Sequence, residues 1–210
     1  EVFYDFGSTD SPRAVQHDPA FGAQCHPNCD CGRFMEIGNS VFMQYIKTAN
    51  GFALLPKQNV DFGGGLERIA AAAAGNPDVF RTDVFWDVIA MLEHFSGKQY
   101  DDSRYKRSFR IVADHMRAAV FMLGDGVRPS NTDRGYVLRR LLRRVLIIEH
   151  QHKLSPQVFE NVLLAVIDNY GPNYPELTQK KNDIINGYFG ESVKFKSTLE
   201  KGLKELEHMV

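Results

Sequence analysis

Residues 60–75 read VDFGGGLERIAAAAAG, an acid and three consecutive glycines directly before a helix-forming run. Glycine loses more backbone freedom on folding than other residues, so three in succession at a helix start need a physical reason. Without Cβ atoms, these glycines let a ligand lie against the backbone, and the free N–H groups of the following helix attract anions. The stretch is therefore either the floor of an anion-binding site or a glycine-rich turn that binds nothing.

The composition is that of a globular protein of 210 residues, 43% of them hydrophobic and 11% aromatic. The sequence predicts no membrane span, because it contains no apolar run of about eighteen residues. We expect Glu1 to be a cut edge, since neither an initiator Met nor a secretory signal is present at the start. All three cysteines fall within residues 25–31, which favours reduced thiols in a cytoplasmic compartment over a disulfide framework.

The order of patterns along the chain predicts an α+β fold. Alternating and β-branched residues in EVFYDF and in RFMEIGNSVFMQYIK predict strands around a polar loop at Gly7–Gly32, and TANG predicts a hairpin turn into FALLPK. From Leu66 onward, apolar residues recur at helical spacing. We therefore expect an antiparallel sheet within residues 1–75, followed by a helical domain at residues 76–210.

Charged side chains flank the glycines at positions that suit a zwitterion beside a nucleotide. Asp61 precedes the glycines at a strand end, where its carboxylate would bind an ammonium group. Arg68 falls on the first turn of the helix, where its guanidinium can hold phosphate oxygens as a fork. The alternative is that Glu67 and Arg68 are solvated surface residues.

Residues 33–45, RFMEIGNSVFMQY, predict one wall of a small pocket. Because alternate side chains of a strand share a face, Asn39 and Val41 would together form a polar and an apolar lining. Glu36 falls on the opposite face, unless a bulge at Gly38 re-aims it. Alternatively, Asn39 only satisfies backbone groups at a sheet edge.

Positive charge is concentrated in residues 104–144, which carry eleven Lys or Arg against three acids although the net charge is −1. In RGYVLRRLLRRVLII, apolar residues fill most of a helical wheel and four arginines share the remaining arc: Arg139, Arg140, Arg143 and Arg144. With no Glu in this segment to compensate them, we expect contacts to nucleic-acid phosphates; a solvated charged face is the alternative. Asn131 precedes the helix, where its amide can reach base edges.

The segment CHPNCDC at residues 25–31, here called the cysteine loop, carries candidate metal ligands. Cys25, Cys29 and Cys31 could bind zinc with a histidine as fourth ligand, for which we predict His26 inside the loop, with His17 nearby. Reduced thiols without a metal are the alternative.

These stretches together resemble the alanyl-tRNA synthetase family, a branch of the class II aminoacyl-tRNA synthetases. The similar segments occur in the family's order: FYD, EIGNSVFMQY, LPKQNVDFGGGLERIAA, VADHMRAAVFMLGDGVRPSNTDRGYVLRRLLRR and FKSTLEKGLKELE. The block GVRPSN…RGYVLRRLLRR is very specific to the family, and GLER resembles motif 3. The similarity runs from end to end of the chain, apart from the cysteine loop and a weaker stretch at residues 155–190.

The resemblance implies an ATP-dependent ligase that activates alanine to alanyl-adenylate and transfers it to tRNA(Ala). Arg68 would be the motif 3 arginine that grips ATP, and Glu36 would hold Mg²⁺. Alanine would bind to a set of residues that place its ammonium group on a carboxylate and its methyl group over a glycine: Asn39, Val41, Asp61, Gly63 and Gly65.

The resemblance also implies that Asn131 reads a G·U pair in the minor groove of the tRNA acceptor stem. The arginines near it would follow the RNA backbone: Arg134, Arg139, Arg140, Arg143 and Arg144. The alternative function is a non-catalytic module that binds the acceptor stem.

The chain departs from the family at the glycines and in the motifs it includes. Gly38, Phe62 and Gly64 stand where the family usually has Trp, Thr and Met, so we expect a looser floor. Motifs 1 and 2 are not found in these residues. Because motif 2 supplies the arginine that binds the α-phosphate, we expect the isolated chain to be inactive.

Overall fold

The computed structural model describes residues 1–7 and 13–209, and the chain divides into two compact units, Glu1–Val84 and Phe85–Val210. The first unit contains an antiparallel sheet and the second is helical, which confirms the predicted α+β class. The boundary between these units follows Val84, whereas the sequence predicts it after residue 75. Residues 8–12 of the predicted polar loop and residue 210 of the predicted helical domain lie outside the described residues.

The sheet has the strand order β1 (Val2–Asp5), β2 (Phe34–Thr48) and β3 (Gly51–Gly64), and both pairings are antiparallel. The predicted hairpin turn lies between β2 and β3. It closes at Gly51, whose φ of 119° favours glycine, and Thr48 Oγ1 donates a hydrogen bond to the Gly51 carbonyl (2.9 Å). The strand that follows FALLPK continues to the glycines, so β3 is longer than the sequence predicts.

Large apolar side chains on β2 and β3 are exposed. Phe42 is 78% exposed and Phe52 is 76% exposed. Their exposed neighbours include aliphatic and aromatic residues on both strands: Val41, Tyr45, Ile46, Leu54, Val60 and Phe62. The hydrophobic core of the described residues therefore lies mainly in the helical unit.

The first helix, α1 (Leu66–Ala73), begins directly after the glycines and ends where Gly75 takes a positive φ of 59°. Its N-cap is Gly65, whose backbone N–H donates to the Ile37 carbonyl of β2 (3.1 Å). This bond ties the start of α1 to the middle strand of the sheet.

The remaining helices confirm the helical spacing predicted from Leu66 onward. α3 begins at Ser103, where the Asp102 side chain caps it by accepting from the Arg104 N–H (2.9 Å). The helical segment from Pro175 onward divides in two near Lys180. The helices are α2 (Asp83–Ser96), α3 (Ser103–Gly124), α4 (Asp133–Gln151), α5 (Pro156–Tyr170), α6 (Pro175–Gln179) and α7 (Lys181–Met209).

Helix α3 is the centre of the second unit and packs against α4, α5, α6 and α7. Its fully buried residues meet those of its neighbours in one core: Phe109, Met116, Val120, Leu123, Leu138, Leu142, Phe159 and Val162. The apolar side of α4 is thereby fixed, so its arginines lie toward the edges and the outside of the unit.

None of the helices in the described part of the chain is long and apolar enough to cross a membrane.

Candidate functional site

Four of the predicted alanine-binding residues lie together on one face of the sheet. Asn39 is paired with Gly63, and Val41 is paired with Asp61. Directly paired residues of antiparallel strands share a face, so the strand register brings these positions together. A Cβ atom at Gly63 would meet no other atom within 4 Å, so the space above it is open.

A β-bulge decides the position of Glu36. Val2 pairs with Gly38 but Phe3 pairs with Glu36, so Ile37 and Gly38 together occupy one strand position. A bulge of this kind returns Glu36 to the face that carries Asn39. The sequence left open whether a bulge at Gly38 would turn Glu36 to this face, and the structure contains that bulge.

Arg68 of α1 contacts Glu36 in two ways. Its Nη1 donates to the Glu36 carbonyl oxygen (3.0 Å) and lies 3.6 Å from the carboxylate Oε2. Both side chains are partly exposed, so this ion pair contributes little to stability and can exchange for a ligand. The guanidinium and this carboxylate therefore lie together at one end of the face that carries Asn39.

The glycines at 38 and 64 make room for Phe62 on the opposite face of the sheet. A Cβ atom at Gly38 would lie 2.6 Å from Cζ of Phe62, and one at Gly64 would lie 3.2 Å from Cε1. The aromatic ring thus occupies the space that larger residues at 38 and 64 would need. It leaves the side of Gly63 open.

The three thiols of the cysteine loop lie beside a histidine from outside the loop, His17, and the four side chains form a candidate metal site. The donor atoms of His17, Cys25, Cys29 and Cys31 all lie within 4.8 Å of one another. The prediction of His26 as the fourth ligand is not supported, because the His26 carbonyl closes a turn with the Cys29 N–H (2.9 Å) while its side chain is exposed. His17 comes close because the chain turns back after Phe21.

A hydrogen bond at Nε2 leaves Nδ1 of His17 available to bind a metal ion. Its Nε2 lies 2.8 Å from the Gly22 carbonyl, so the proton resides there and Nδ1 keeps its lone pair. Without a metal ion, a protonated His17 can instead donate to the Cys31 thiolate, and this hydrogen bond lowers the pKa of that thiol to about 6. Burial raises the pKa of the Cys25 thiol to about 11.

The distances among these donor atoms fit zinc. Cys25 Sγ lies 3.7 Å from Cys31 Sγ, and Cys29 Sγ lies 3.7 Å from His17 Nδ1. Tetrahedral zinc with bonds of about 2.3 Å to sulfur separates its ligand atoms by roughly 3.5–3.8 Å. Three thiols and one imidazole fill all four positions of such a site.

Asp5 and Arg33 hold the two ends of the segment that carries the cysteine loop. Arg33 donates from Nε and Nη2 to the two carboxylate oxygens of Asp5 (2.7 and 2.8 Å). The Gly7 N–H donates to the same carboxylate (2.8 Å). The hydrogen bonds from Arg33 lower the pKa of Asp5.

The arginines of α4 divide into an exposed group and a paired group. Arg134, Arg140 and Arg144 are exposed, and the last two line a hollow of about 210 Å³ with His115, Val137 and Leu141. Arg139 and Arg143 instead face the buried carboxylate of Glu191 on α7, with Arg143 Nε 2.8 Å and Arg139 Nε 3.5 Å from Oε1. The predicted arc of four uncompensated arginines is wrong, because α7 supplies the missing acid.

Asn131 is exposed at the entrance of α4, and the loop around it is tightly packed. Arg139 donates from Nη1 to Asn131 Oδ1 and from Nη2 to the Pro129 carbonyl (3.3 Å). The Ser130 N–H donates to the Gly135 carbonyl (3.1 Å). A Cβ atom at Gly135 would collide with Ser130 Oγ, so this loop conformation requires glycine there.

A sheet site bordered by Arg68 and Asp61, in a chain that continues into a helical unit, is the arrangement expected of a class II aminoacyl-tRNA synthetase. The family model described as tRNA synthetases class II (A) matches residues 1–210, and the chain belongs to this family.

The chain is similar to several alanine–tRNA ligases. It is 43% identical over 212 residues to that of Desulfitobacterium hafniense (strain Y51), an alignment that covers 100% of this chain and 23% of the relative. The alanine–tRNA ligase of Petrotoga mobilis (strain DSM 10674 / SJ95) is 37% identical, with 100% and 23% covered. That of Treponema pallidum (strain Nichols) is 38% identical, with 100% and 34% covered. The chain thus spans about a quarter to a third of these relatives.

Proposed function

We propose that the chain is part of an alanine–tRNA ligase, which activates alanine with ATP and transfers it to tRNA(Ala). The observation that carries this proposal is the meeting of Asn39, Val41, Asp61 and Gly63 on one open face of the sheet. The names of the similar ligases support the choice of alanine.

The residues of this face suit a small zwitterion. The Asp61 carboxylate is exposed and, within the described residues, makes no hydrogen bond or ion pair, so it can receive the alanine ammonium group. Gly63 leaves space for the methyl group, Gly65 lies at the start of α1, and Asn39 and Val41 supply the polar and apolar walls.

Arg68 binds the phosphates of ATP during activation. The alanine carboxylate oxygen attacks the α-phosphate, forming the anhydride bond of alanyl-adenylate, and pyrophosphate leaves with its electron pair. The guanidinium stabilises the negative charge that develops on the phosphate oxygens. To do so, Arg68 exchanges its weak contact with Glu36 for the nucleotide.

Glu36 would hold Mg²⁺, which supplies positive charge to the phosphates when it is bound. A carboxylate at this position suits Mg²⁺, because one carboxylate together with substrate phosphates is a usual ligand set for this ion. Glu36 is released from Arg68 when that guanidinium moves to ATP.

His17, Cys25, Cys29 and Cys31 would hold a structural zinc ion. All four coordination positions are filled by side chains, which distinguishes a structural site from a catalytic one. Reduced thiols of this kind belong to a cytoplasmic protein.

The helical unit binds the acceptor stem of tRNA(Ala). The exposed guanidinium groups of Arg134, Arg140 and Arg144 contact phosphates, while Asn131 reads the G·U pair. A second candidate function is a non-catalytic module that binds the acceptor stem. The concentration of positive charge in residues 104–144 favours it.

Asp61→Asn and Arg68→Ala test the catalytic proposal in a full-length ligase that contains these residues. Each should lower alanine-dependent ATP–pyrophosphate exchange by roughly 100-fold or more, as the loss of a charged contact in a transition state does. Val60→Thr, at a neighbouring position of β3, is the control. Exchange at the unsubstituted rate in both variants would refute the assignment.

The 210-residue chain distinguishes the two candidate functions. Alanine with ATP should raise its melting temperature if the alanine face is formed, and should leave it unchanged if the chain only binds RNA. We expect the chain alone to give no exchange, and robust exchange would refute that expectation.

A further inference from the structure

Glu191 of α7 is a buried carboxylate whose partners both lie on α4. Its side chain is 2% exposed, and its Oε1 lies 2.8 Å from Arg143 Nε and 3.5 Å from Arg139 Nε. A buried carboxylate is strongly destabilising unless it is paired, so this charge holds both guanidinium groups in place.

Arg139 connects Glu191 to the loop that carries Asn131. Its side chain is only 20% exposed, and its Nη atoms donate to Asn131 Oδ1 and to the Pro129 carbonyl. Its Nε is buried and has no hydrogen-bond partner among the described residues, so the charge of Glu191 is its nearest compensation. Every contact of this guanidinium is internal, which leaves it poorly placed to bind phosphate.

The contact with Arg139 determines which end of the Asn131 amide faces solvent. A guanidinium only donates hydrogen bonds, so the amide oxygen must face Arg139. The amide Nδ2 then points away, and no group in the described part of the chain accepts from it. Asn131 thus presents two hydrogen-bond donors to a ligand.

We propose that Glu191 is a positioning residue for tRNA selection: through Arg139 it fixes the Asn131 amide with its donors outward. The minor groove of an RNA duplex offers acceptors, pyrimidine O2 and purine N3, to such a group. This inference rests on the proposed reading of the acceptor stem by Asn131. It also moves Arg139 from the phosphate-binding set to the positioning of Asn131.

The test measures binding of the 210-residue chain to two acceptor-stem hairpins that differ only in a G·U or a G·C pair. The readout is the ratio of the two dissociation constants. Glu191→Gln keeps the shape but removes the charge, and should reduce the ratio by roughly five-fold or more, the lower end of what one base contact contributes.

Two substitutions at Asn131 separate positioning from a general loss of structure. In the double variant Glu191→Gln/Asn131→Ala, the ratio should equal that of Asn131→Ala alone, since Glu191 acts only through Asn131. Asn131→Asp keeps an acceptor for Arg139 but loses both donors, and should also reduce the ratio.

Arg143→Gln is the matched control. It removes the shorter contact of Glu191 but leaves Arg139 and Asn131 connected, and Arg143 also lies 5.1 Å from the centre of the Phe195 ring. Because Glu191 already compensates the charge of Arg143, we expect the affinity for both hairpins to change little and equally, and the ratio to stay the same. If Glu191→Gln fails to fold by circular dichroism, Arg139→Lys replaces it with the same expected loss of the ratio.

Two results overturn the inference, and they are distinguishable. An unchanged ratio in Glu191→Gln, with a flattened ratio in Asn131→Ala, refutes the positioning role and leaves the proposed function intact. Equal binding of both hairpins by the unsubstituted chain refutes the proposed reading of the stem, and the positioning role with it.

Discussion

Gly63 is the residue that best separates function from stability, because the space above it is open. A Cβ atom there meets nothing within 4 Å, whereas one at Gly38 would lie 2.6 Å from the Phe62 ring. An alanine at position 63 therefore fits without moving any neighbour, whereas an alanine at position 38 must displace the Phe62 ring.

Gly63→Ala should change the free energy of unfolding by less than about 0.5 kcal/mol, since the added methyl contacts nothing. It should raise KM for alanine in pyrophosphate exchange by a full-length ligase, because it occupies the space for the substrate methyl group. Gly38→Ala should lower the melting temperature by displacing Phe62. A lower melting temperature for Gly63→Ala than for Gly38→Ala would contradict the open face.

Asp5 provides a pH-dependent contribution to the first unit. Its folded pKa is lowered by the hydrogen bonds from Arg33, so its contribution is fully present above the unfolded value of 3.8 and is lost as pH falls through the folded value. Urea unfolding from pH 6 to pH 2 should show a steeper loss of stability for the unsubstituted chain than for Asp5→Asn. Parallel curves would argue against the ion pair.

At the scale of elements, α4 shows why a helix cannot be interpreted from its own sequence. Its arginines form one arc on a wheel, yet α7 places a carboxylate against part of that arc. Exposure then distinguishes Arg140 and Arg144, which face solvent, from Arg139 and Arg143.

Arg140→Gln and Arg144→Gln should each weaken RNA binding and reduce the slope of log Kd against log salt by roughly 0.7–0.9, the value for one phosphate contact. Arg143→Gln should leave that slope nearly unchanged, because Glu191 already compensates its charge. Fluorescence titrations between low and high salt measure this. Equal slopes for all three variants would contradict the division of the helix.

The cysteine loop also depends on a residue from outside it, because His17 supplies the fourth side chain of the proposed zinc site. His17→Ala should lower the zinc affinity of the chain by more than the 10–100-fold that loss of an outer partner costs. His26→Ala should leave it unchanged. Competition with a chromogenic chelator measures both, and equal losses would contradict the ligand set.

At the scale of the whole molecule, the two units are stabilised by different means. The helical unit has a continuous core around α3. The sheet unit exposes large apolar side chains and has partly buried polar contacts around the cysteine loop. Metal binding couples to folding where the ligands come together only in the folded chain.

Removal of the proposed zinc ion with a chelator should therefore destabilise the sheet unit selectively. We expect the fluorescence of Trp86, in the helical unit, to report an unchanged transition, while hydrogen exchange increases in residues 13–33. An unchanged exchange pattern after chelation would show that the loop does not depend on a metal ion.

The sequence by itself determined the elements of this protein, because helical and strand periodicity, the hairpin turn and the glycines before α1 are set by near neighbours. Alternation along one strand also put Asn39 and Val41 on a common face. The family resemblance added Asp61 and Gly63 to them, and the strand register of the folded sheet brings the four positions together. Only the tertiary structure decided the bulge that turns Glu36, the choice of His17 over His26, and the pairing of Glu191 with α4. Each of these depends on which distant segments pack together, and no local pattern encodes that choice.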